Sequence, residues 1–227
     1  MKRVAILQPN FLPWRGYFDI INQVDEFVIY DDVKYTKQDW RNRNRVKTPG
    51  GPTWITVPVE SGATSKLICD VAISDRYEPE NIKKTIQMAY SKAPFFSHYF
   101  DSLCSILDRE TSSLIDLDVA LIRYVNQAMK IDTQLSFSTE IEAAGHKTER
   151  LINLLKKCGA THYLSGPAAR DYIDSVLFEQ NEIVLEYMSY NYPPYPQLWG
   201  AFEPYVSVID LLFNVGPDSI RYFSQIV

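Results

Sequence analysis

The chain has few of the residues on which metal sites and covalent catalysis depend. Among 227 residues there are three histidines and three cysteines, and no Gly-x-Ser-x-Gly motif of a serine nucleophile. These residues are His98, His146, His162, Cys69, Cys104 and Cys158. None of them has metal-ligand spacing, which argues against a metal site, and the separated cysteines are typical of buried small side chains in a reducing compartment. The sequence identifies no cofactor.

Excess positive charge and long apolar runs are also absent. The chain has 23 basic and 28 acidic side chains, a net charge of −5, the wrong sign for coating duplex nucleic acid. The apolar run Val4–Leu7 ends at Gln8 and is too short for a signal peptide or a membrane span. We therefore expect a cytoplasmic globular protein without duplex nucleic acid as a partner; oligomeric state is not indicated.

Short apolar runs alternate with helical patterns along the chain, which predicts an α/β fold. Buried strands are predicted at Val4–Leu7, Phe27–Tyr30, Thr53–Val59, Leu67–Ile73, Gln134–Ser138, Thr161–Leu164 and Glu182–Tyr190. Helices are predicted at Gly16–Asn22, Lys147–Cys158 and Tyr205–Asn214, and within 79–130 with breaks near Pro94 and Thr111. The prediction is one domain over 1–227, a largely parallel, Rossmann-like layered sheet with flanking helices and a helical elaboration near 79–130.

Ligands of such sheets bind beyond the carboxyl ends of the strands, so the residues after each strand are site candidates. The loop after the first strand carries Gln8, Asn10 and Tyr17 and leads into a helix start that favours an anion. It lacks the glycines of dinucleotide and phosphate-binding loops. It also lacks the histidine pair of His-x-Gly-His nucleotidylyltransferases. A proline-stiffened structural loop is the alternative.

The second predicted strand ends in two carboxylates, Asp31 and Asp32. They are candidates for a general base, for an amine-binding pair, or for Mg²⁺ held together with substrate phosphates. Loop capping and salt bridges explain them equally well.

A dense basic segment follows, with Lys37, Trp40, Arg41, Arg43 and Arg45. In an extended chain the three arginines share one face, which favours a focused site for phosphate or carboxylate beside a stacking tryptophan. The competing interpretation is a solvated basic edge strand.

Four further candidates lie in the second half of the chain. His146 and Arg150 lie at the start of a predicted helix, where an anion would dock, although exposure to solvent explains His146 as well. Tyr163 and Ser165 end a predicted strand, and Ser165 either binds a ligand or caps the next helix. A Tyr- and Pro-rich loop over 187–195 is predicted to close over a substrate or a partner.

Long motifs resemble the WbqC-like protein family over nearly the whole chain. They include Val4-Ala5-Ile6-Leu7-Gln8-Pro9-Asn10, Tyr30-Asp31-Asp32-Val33, Trp40-Arg41-Asn42-Arg43-Asn44, Gly159-Ala160-x-x-Tyr163-Leu164-Ser165-Gly166 and Ser207-Val208-Ile209-Asp210-Leu211-Leu212-Phe213-Asn214. One departure is Lys83-Lys84 where relatives often carry a Lys-His pair. No role that depends on that histidine transfers to this chain.

The resemblance implies a place in the biosynthesis of surface glycans or related products, and transfer of a small acyl or aminoacyl group such as glycyl to an amino sugar. The hypothesis is therefore a transferase acting on a small anionic substrate, such as a nucleotide sugar, with Asp31, Asp32 and His146 as catalytic candidates. The alternatives are a non-catalytic module that binds a sugar nucleotide or a partner, and a nucleotidylyltransferase-like or hydrolytic enzyme.

Overall fold

The computed structural model describes residues 1–224, which form two sheets surrounded by helices. The strands are β1 (Arg3–Leu7), β2 (Glu26–Ile29), β3 (Arg43–Thr48), β4 (Gly51–Thr56), β5 (Gln134–Phe137), β6 (His162–Ser165) and β7 (Val184–Tyr187). The α-helices are α1 (Arg15–Asn22), α2 (Pro79–Tyr90), α3 (Phe96–Leu107), α4 (Leu114–Met129), α5 (Ser138–Ile141), α6 (Lys147–Lys157), α7 (Ser175–Gln180) and α8 (Val208–Val215).

The larger sheet has five parallel strands in the order β5-β2-β1-β6-β7. The chain starts at the central strand β1, builds outward through β2 and β5, and then returns to build β6 and β7 on the other side. This order confirms the predicted Rossmann-like α/β fold. It also places the switch in strand order between β1 and β6, the position at which such sheets open a ligand crevice.

Both faces of the central strands are buried. Val4 and Ile6 of β1 face a core formed with α6 and α7, whereas Ala5 between them faces the larger core that contains α1, α4 and α8. β2 alternates in the same way, with Val28 on the first face and Phe27 on the second. Burial on both faces explains why these strands are continuous apolar runs in the sequence.

The smaller sheet is the antiparallel hairpin of β3 and β4. The hairpin contains most of the strand predicted over 53–59. The strand predicted at Leu67–Ile73 is wrong, because a 3-10 helix, Ile68–Asp70, occupies its centre. Ile68 and Val71 are both completely or almost completely buried. Their three-residue separation matches the period of a 3-10 helix and not the two-residue period of a strand.

Two further elements differ from their predicted bounds by more than one residue. β7 covers only Val184–Tyr187 of the strand predicted at 182–190, because only these residues pair with β6. α8 begins at Val208 and not at Tyr205, because the hydroxyl of Ser207 accepts a hydrogen bond from the Ile209 N–H and caps the helix there.

The aromatic loop after β7 packs on the chain's own first helix. The guanidinium of Arg15 lies 4.6 Å from the ring centre of Tyr192 and 5.2 Å from that of Tyr195. Tyr192 donates a 2.8 Å hydrogen bond to Asp19, and Tyr195 donates one of 2.8 Å to Asp210. The C-terminal segment therefore supplies partners to charged side chains that are buried in the core.

The helix α4 carries a buried carboxyl group without such partners. Asp118 is completely buried, and neither of its oxygens has a hydrogen-bond donor within the described residues. Burial raises the pKa of Asp118 well above its usual value, and the positive charge of Arg41 opposes this effect only in part. Within residues 1–224, no helix combines the length and apolarity needed to cross a membrane.

We expect Asp118→Asn to stabilise the protein at pH 7 and to do so less as the pH falls toward 4. At pH values at which the carboxyl group is ionised in the unfolded chain, it keeps its proton in the folded protein. Rising pH therefore lowers the free energy of unfolding of the wild type, by up to about 1.4 kcal/mol per pH unit. Asparagine does not titrate and removes this slope. Urea unfolding at several pH values measures the difference.

Asp116→Asn, at an exposed position of the same helix, is the matched control and should show no gain that grows with pH. A stability difference between wild type and Asp118→Asn that is constant from pH 4 to 7 would contradict the prediction.

Candidate functional site

A cleft of about 720 Å³ opens at the carboxyl edge of the parallel sheet, where β1 and β6 are neighbours. Its lining residues are Ile6, Leu7, Gln8, Asn10, Tyr30, Arg41, Lys147, Thr148, Leu151, Tyr163 and Tyr172. They come from β1 and the loop after it, from the end of β2, from the segment before β3, from the first turns of α6, and from β6 and the segment that follows it. The cleft thus lies at the switch point that the strand order defines.

The loop after β1 is fixed from the hairpin by the amide of Asn44. Its Nδ2 donates hydrogen bonds to the carbonyl oxygens of Phe11 at 3.3 Å and of Leu12 at 2.8 Å, while its Oδ1 accepts one from the Arg45 N–H. Leu12 has a φ of +42°, in a region that non-glycine residues rarely adopt. The buried amide therefore helps to hold a strained loop in one conformation.

The first residues of the same loop are held by Tyr17 and Arg41. The hydroxyl of Tyr17 donates a hydrogen bond of 3.2 Å to the Gln8 carbonyl oxygen. This bond engages the Tyr17 side chain with the backbone below the cleft. Arg41 donates to the Pro9 carbonyl oxygen at 3.3 Å and to the side-chain oxygen of Asn10. Gln8, Asn10 and Arg41 consequently meet in the cleft wall with little freedom to move.

Arg41 is the cation on this side of the cleft. Its guanidinium makes an ion pair of 3.3 Å with Asp39. Burial lowers the pKa of Arg41, and the charge of Asp39 opposes that effect. A guanidinium remains protonated in proteins, so the cleft wall carries a positive charge with reduced access to water.

The start of α6 supplies positive potential from the second side. Lys147 and Thr148 are its first two residues and line the cleft. His146 precedes them as the N-cap residue; it is exposed, and its side chain caps no backbone N–H. The free N–H groups of a first helical turn attract anions, and a lysine beside them adds a full charge. This end of the cleft suits a phosphate or carboxylate group.

Asp31 lies under the cleft and is occupied by bonds to α5. Its carboxylate accepts hydrogen bonds from the Thr139 N–H at 3.1 Å and the Thr139 hydroxyl at 2.8 Å, and lies 2.8 Å from the Ser138 hydroxyl. It is 2% exposed. Asp31 therefore joins the end of β2 to the start of α5, and its oxygens do not line the cleft.

Asp32 holds Arg150 behind the cleft wall. The two side chains form an ion pair, and Asp32 also lies 2.6 Å from the Ser138 hydroxyl. The Arg150 guanidinium stands 5.4 Å from the ring centre of Tyr30, which lines the cleft, and burial raises the pKa of Tyr30. Within the described part of the chain, no group of three or more histidine, cysteine, aspartate or glutamate side chains could hold a metal ion.

Tyr163 and Ser165 form the β6 side of the site. Tyr163 lines the cleft, and its ring stacks on Phe178 with centroids 5.5 Å apart. The hydroxyl of Ser165 is 3.4 Å from that of Tyr163, at the long limit of a hydrogen bond, and Ser165 is buried. Tyr163 therefore faces the ligand space, whereas Ser165 supports it from behind.

The remaining basic residues lie outside the cleft on the hairpin. Arg43 and Arg45 lie 4.3 and 5.8 Å from the ring centre of Trp54, across the strand pair. Arg43 also lines a separate depression with Lys37, and Trp40 lines a small slot next to the cleft. The alternation predicted for this segment is present, but Arg41 faces the cleft and the other two arginines do not.

The structure thus brings together Gln8, Asn10, Arg41 and Tyr163 from the predicted set. Lys147, Thr148 and Tyr30 line the cleft as well and were not among the predicted site residues. A signal for Lys147 was present, because it follows Gly145-His146 at the predicted helix start. Tyr30 ends the strand predicted at Phe27–Tyr30, so the strand-end rule was a signal for it too.

Fold and site together define an α/β protein of the Rossmann-like type with a cationic cleft at its switch point. The sequence profile of the WbqC-like protein family matches residues 8–222, and the chain belongs to this family. It is also similar to "Uncharacterized protein Rv1507c" of Mycobacterium tuberculosis (strain ATCC 25618 / H37Rv), with 46% identity over 231 positions that cover 99% of this chain and 100% of that protein. No solved structure matches the chain.

We expect Asn44→Ala to lower the free energy of unfolding by about 2 to 3 kcal/mol, because it leaves two carbonyl groups of a strained loop without their donor. Urea unfolding measures this loss. Asn81→Ala is the control, since the Asn81 amide bonds to Glu78 on an exposed surface and should cost less than about 0.5 kcal/mol. Equal effects of the two substitutions would show that Asn44 does not hold the loop.

Proposed function

We propose that the chain is a transferase that binds a nucleotide-linked amino sugar in the switch-point cleft and places a small acyl or aminoacyl group, such as glycyl, on its amine. The observation that carries the proposal is the pairing of Arg41 and Lys147 with the start of α6 around one cleft. A guanidinium, an ammonium group and free helical N–H groups are the donors that bind a diphosphate. Tyr30 and Tyr163 add the aromatic walls typical of small-molecule sites.

The transfer forms one bond and breaks one. The amine nitrogen of the sugar attacks the carbonyl carbon of the donor, the C–N bond forms, and the bond from that carbon to the donor's sulfur or oxygen breaks. The proton of the amine passes to His146 and from there to the leaving thiol or alcohol. His146 takes this role because it is exposed directly before Lys147, while the oxygens of Asp31 and Asp32 are held by neighbours.

Asp31 and Asp32 act in this scheme as positioning residues. Asp31 fixes α5 against β2, and Asp32 fixes Arg150 behind Tyr30. Because both carboxylates are engaged in hydrogen bonds and an ion pair within the protein, the structure also supports a second candidate function. In this alternative the protein is a module that binds nucleotide sugars without catalysis. The two proposals share the ligand and differ in whether a product forms.

The anion site predicts that Lys147→Gln weakens binding of inorganic pyrophosphate about tenfold, because one charge-assisted bond is lost. Isothermal titration calorimetry measures the affinity. Arg43→Gln removes a cation that does not line the cleft and should leave the affinity within about twofold of wild type. If pyrophosphate fails to bind the wild type, or if the two variants lose equal affinity, the cleft is not the anion site.

If the protein is a transferase, mixing it with a nucleotide-linked amino sugar and an acyl donor should give a nucleotide sugar whose mass is greater by one acyl group. A thioester and an aminoacyl-tRNA are the donors to compare, and mass spectrometry detects the product. His146→Ala should lower kcat by about 10²- to 10⁴-fold with little change in KM, as expected for a group that moves a proton. Binding without product from either donor would support the module instead.

A further inference from the structure

A second, smaller cavity of about 220 Å³ adjoins the cleft. Its walls are Asn10, Pro13, Trp14, Trp40, Asn44 and Tyr205, and we refer to it as the aromatic slot. Asn10 lines both the slot and the cleft. A ligand that extends past Asn10 therefore has one part in the cleft and another in the slot.

The rings of the slot differ in their packing and exposure. The Trp14 ring lies against the backbone of Gly16, where a Cβ atom would be 2.4 Å from it, and makes edge contacts with Tyr190 at 5.0 Å between centroids. Trp14 is therefore a fixed wall. Trp40 and Tyr205 are 41% and 62% exposed, although both side chains are large and aromatic. Exposed aromatic rings beside a fixed one form a surface on which a planar group can stack.

Most polar side chains of the slot offer hydrogen-bond donors, and the hydroxyl of Tyr205 can both donate and accept. Asn44 uses both of its side-chain atoms within the protein, and the side-chain oxygen of Asn10 is occupied by Arg41. Three donors of the slot have no acceptor within residues 1–224. They are the amide Nδ2 of Asn10 and the indole N–H groups of Trp14 and Trp40. The amide and indole N–H groups can donate to the carbonyl oxygens of a nucleobase, and the exposed rings of Trp40 and Tyr205 supply faces on which the base can stack.

We propose that the aromatic slot binds the nucleobase of a nucleoside diphosphate whose phosphates lie in the cleft. This inference rests on the proposed anion site and assigns the other end of the same ligand. Stacking in the slot supplies the affinity that distinguishes a nucleotide from a bare diphosphate. It also fixes the direction of the ligand, with the group beyond the second phosphate pointing away from Trp40.

The test compares inorganic pyrophosphate with UDP and ADP by isothermal titration calorimetry of the full chain. We expect wild type to bind at least one nucleoside diphosphate about tenfold or more tightly than pyrophosphate. Trp40→Ala should abolish this difference and leave the affinity for pyrophosphate unchanged. The backbone carbonyl of Trp40, which accepts the Phe11 N–H at 3.0 Å, is preserved in this variant.

Trp54→Ala is the matched control, because Trp54 is similarly exposed and lies 5.4 Å from Trp40 between centroids but does not line the slot. It should keep the preference for the nucleotide. Equal affinities for pyrophosphate and both nucleotides, a preference that survives Trp40→Ala, or competition for the slot by free N-acetylglucosamine would overturn this inference while the anion site stands. Absence of pyrophosphate binding would overturn the proposed function itself.

Discussion

The amide of Asn44 connects the two sheets of the molecule at the place where the ligand space begins. It comes from β3 of the hairpin and bonds to the Phe11 and Leu12 carbonyl oxygens in the loop after β1. The bond is effective because both partners are buried, so water does not compete for the carbonyl groups. Since the same loop lines both the cleft and the aromatic slot, the shape of each depends on this contact. Arg41, three residues earlier, extends the connection to Asn10.

Charge is distributed so that the ionised groups at the sheet edge support one another. Asp39 is paired with Arg41, and Asp32 with Arg150. Among the described residues, the cleft is lined by the cations Arg41 and Lys147 and by no carboxylate side chain. A protein with a net charge of −5 thereby presents a local positive potential to a small anion. The carboxyl of Asp118 departs from this arrangement, because it lies in the core and no donor among residues 1–224 forms a hydrogen bond with it.

The sequence predicted the fold better than the site. Apolar runs such as Val4–Leu7 are local signals of buried strands, and their alternation with helices restricts the topology to a parallel sheet. The strand predicted at Leu67–Ile73 was wrong because an apolar run does not distinguish a period of two from a period of three. At the site, strand ends located Gln8, Asn10 and Tyr163 correctly at one edge. The roles of Asp31 and Arg43 depend on distant partners, Thr139 and Trp54, which no local pattern reveals.

The central position of β1 has a consequence for how the protein is made. β1 leaves the ribosome before the other strands of its sheet, but one of its two neighbours, β6, begins only at His162, and Tyr205 of the slot follows later still. That edge of the innermost strand therefore stays unpaired until β6 has been synthesised, and an unpaired strand edge is a place where a nascent chain can aggregate. The two parts of the ligand space are therefore completed at different times, the cleft once Tyr172 has been synthesised and the slot only after Tyr205.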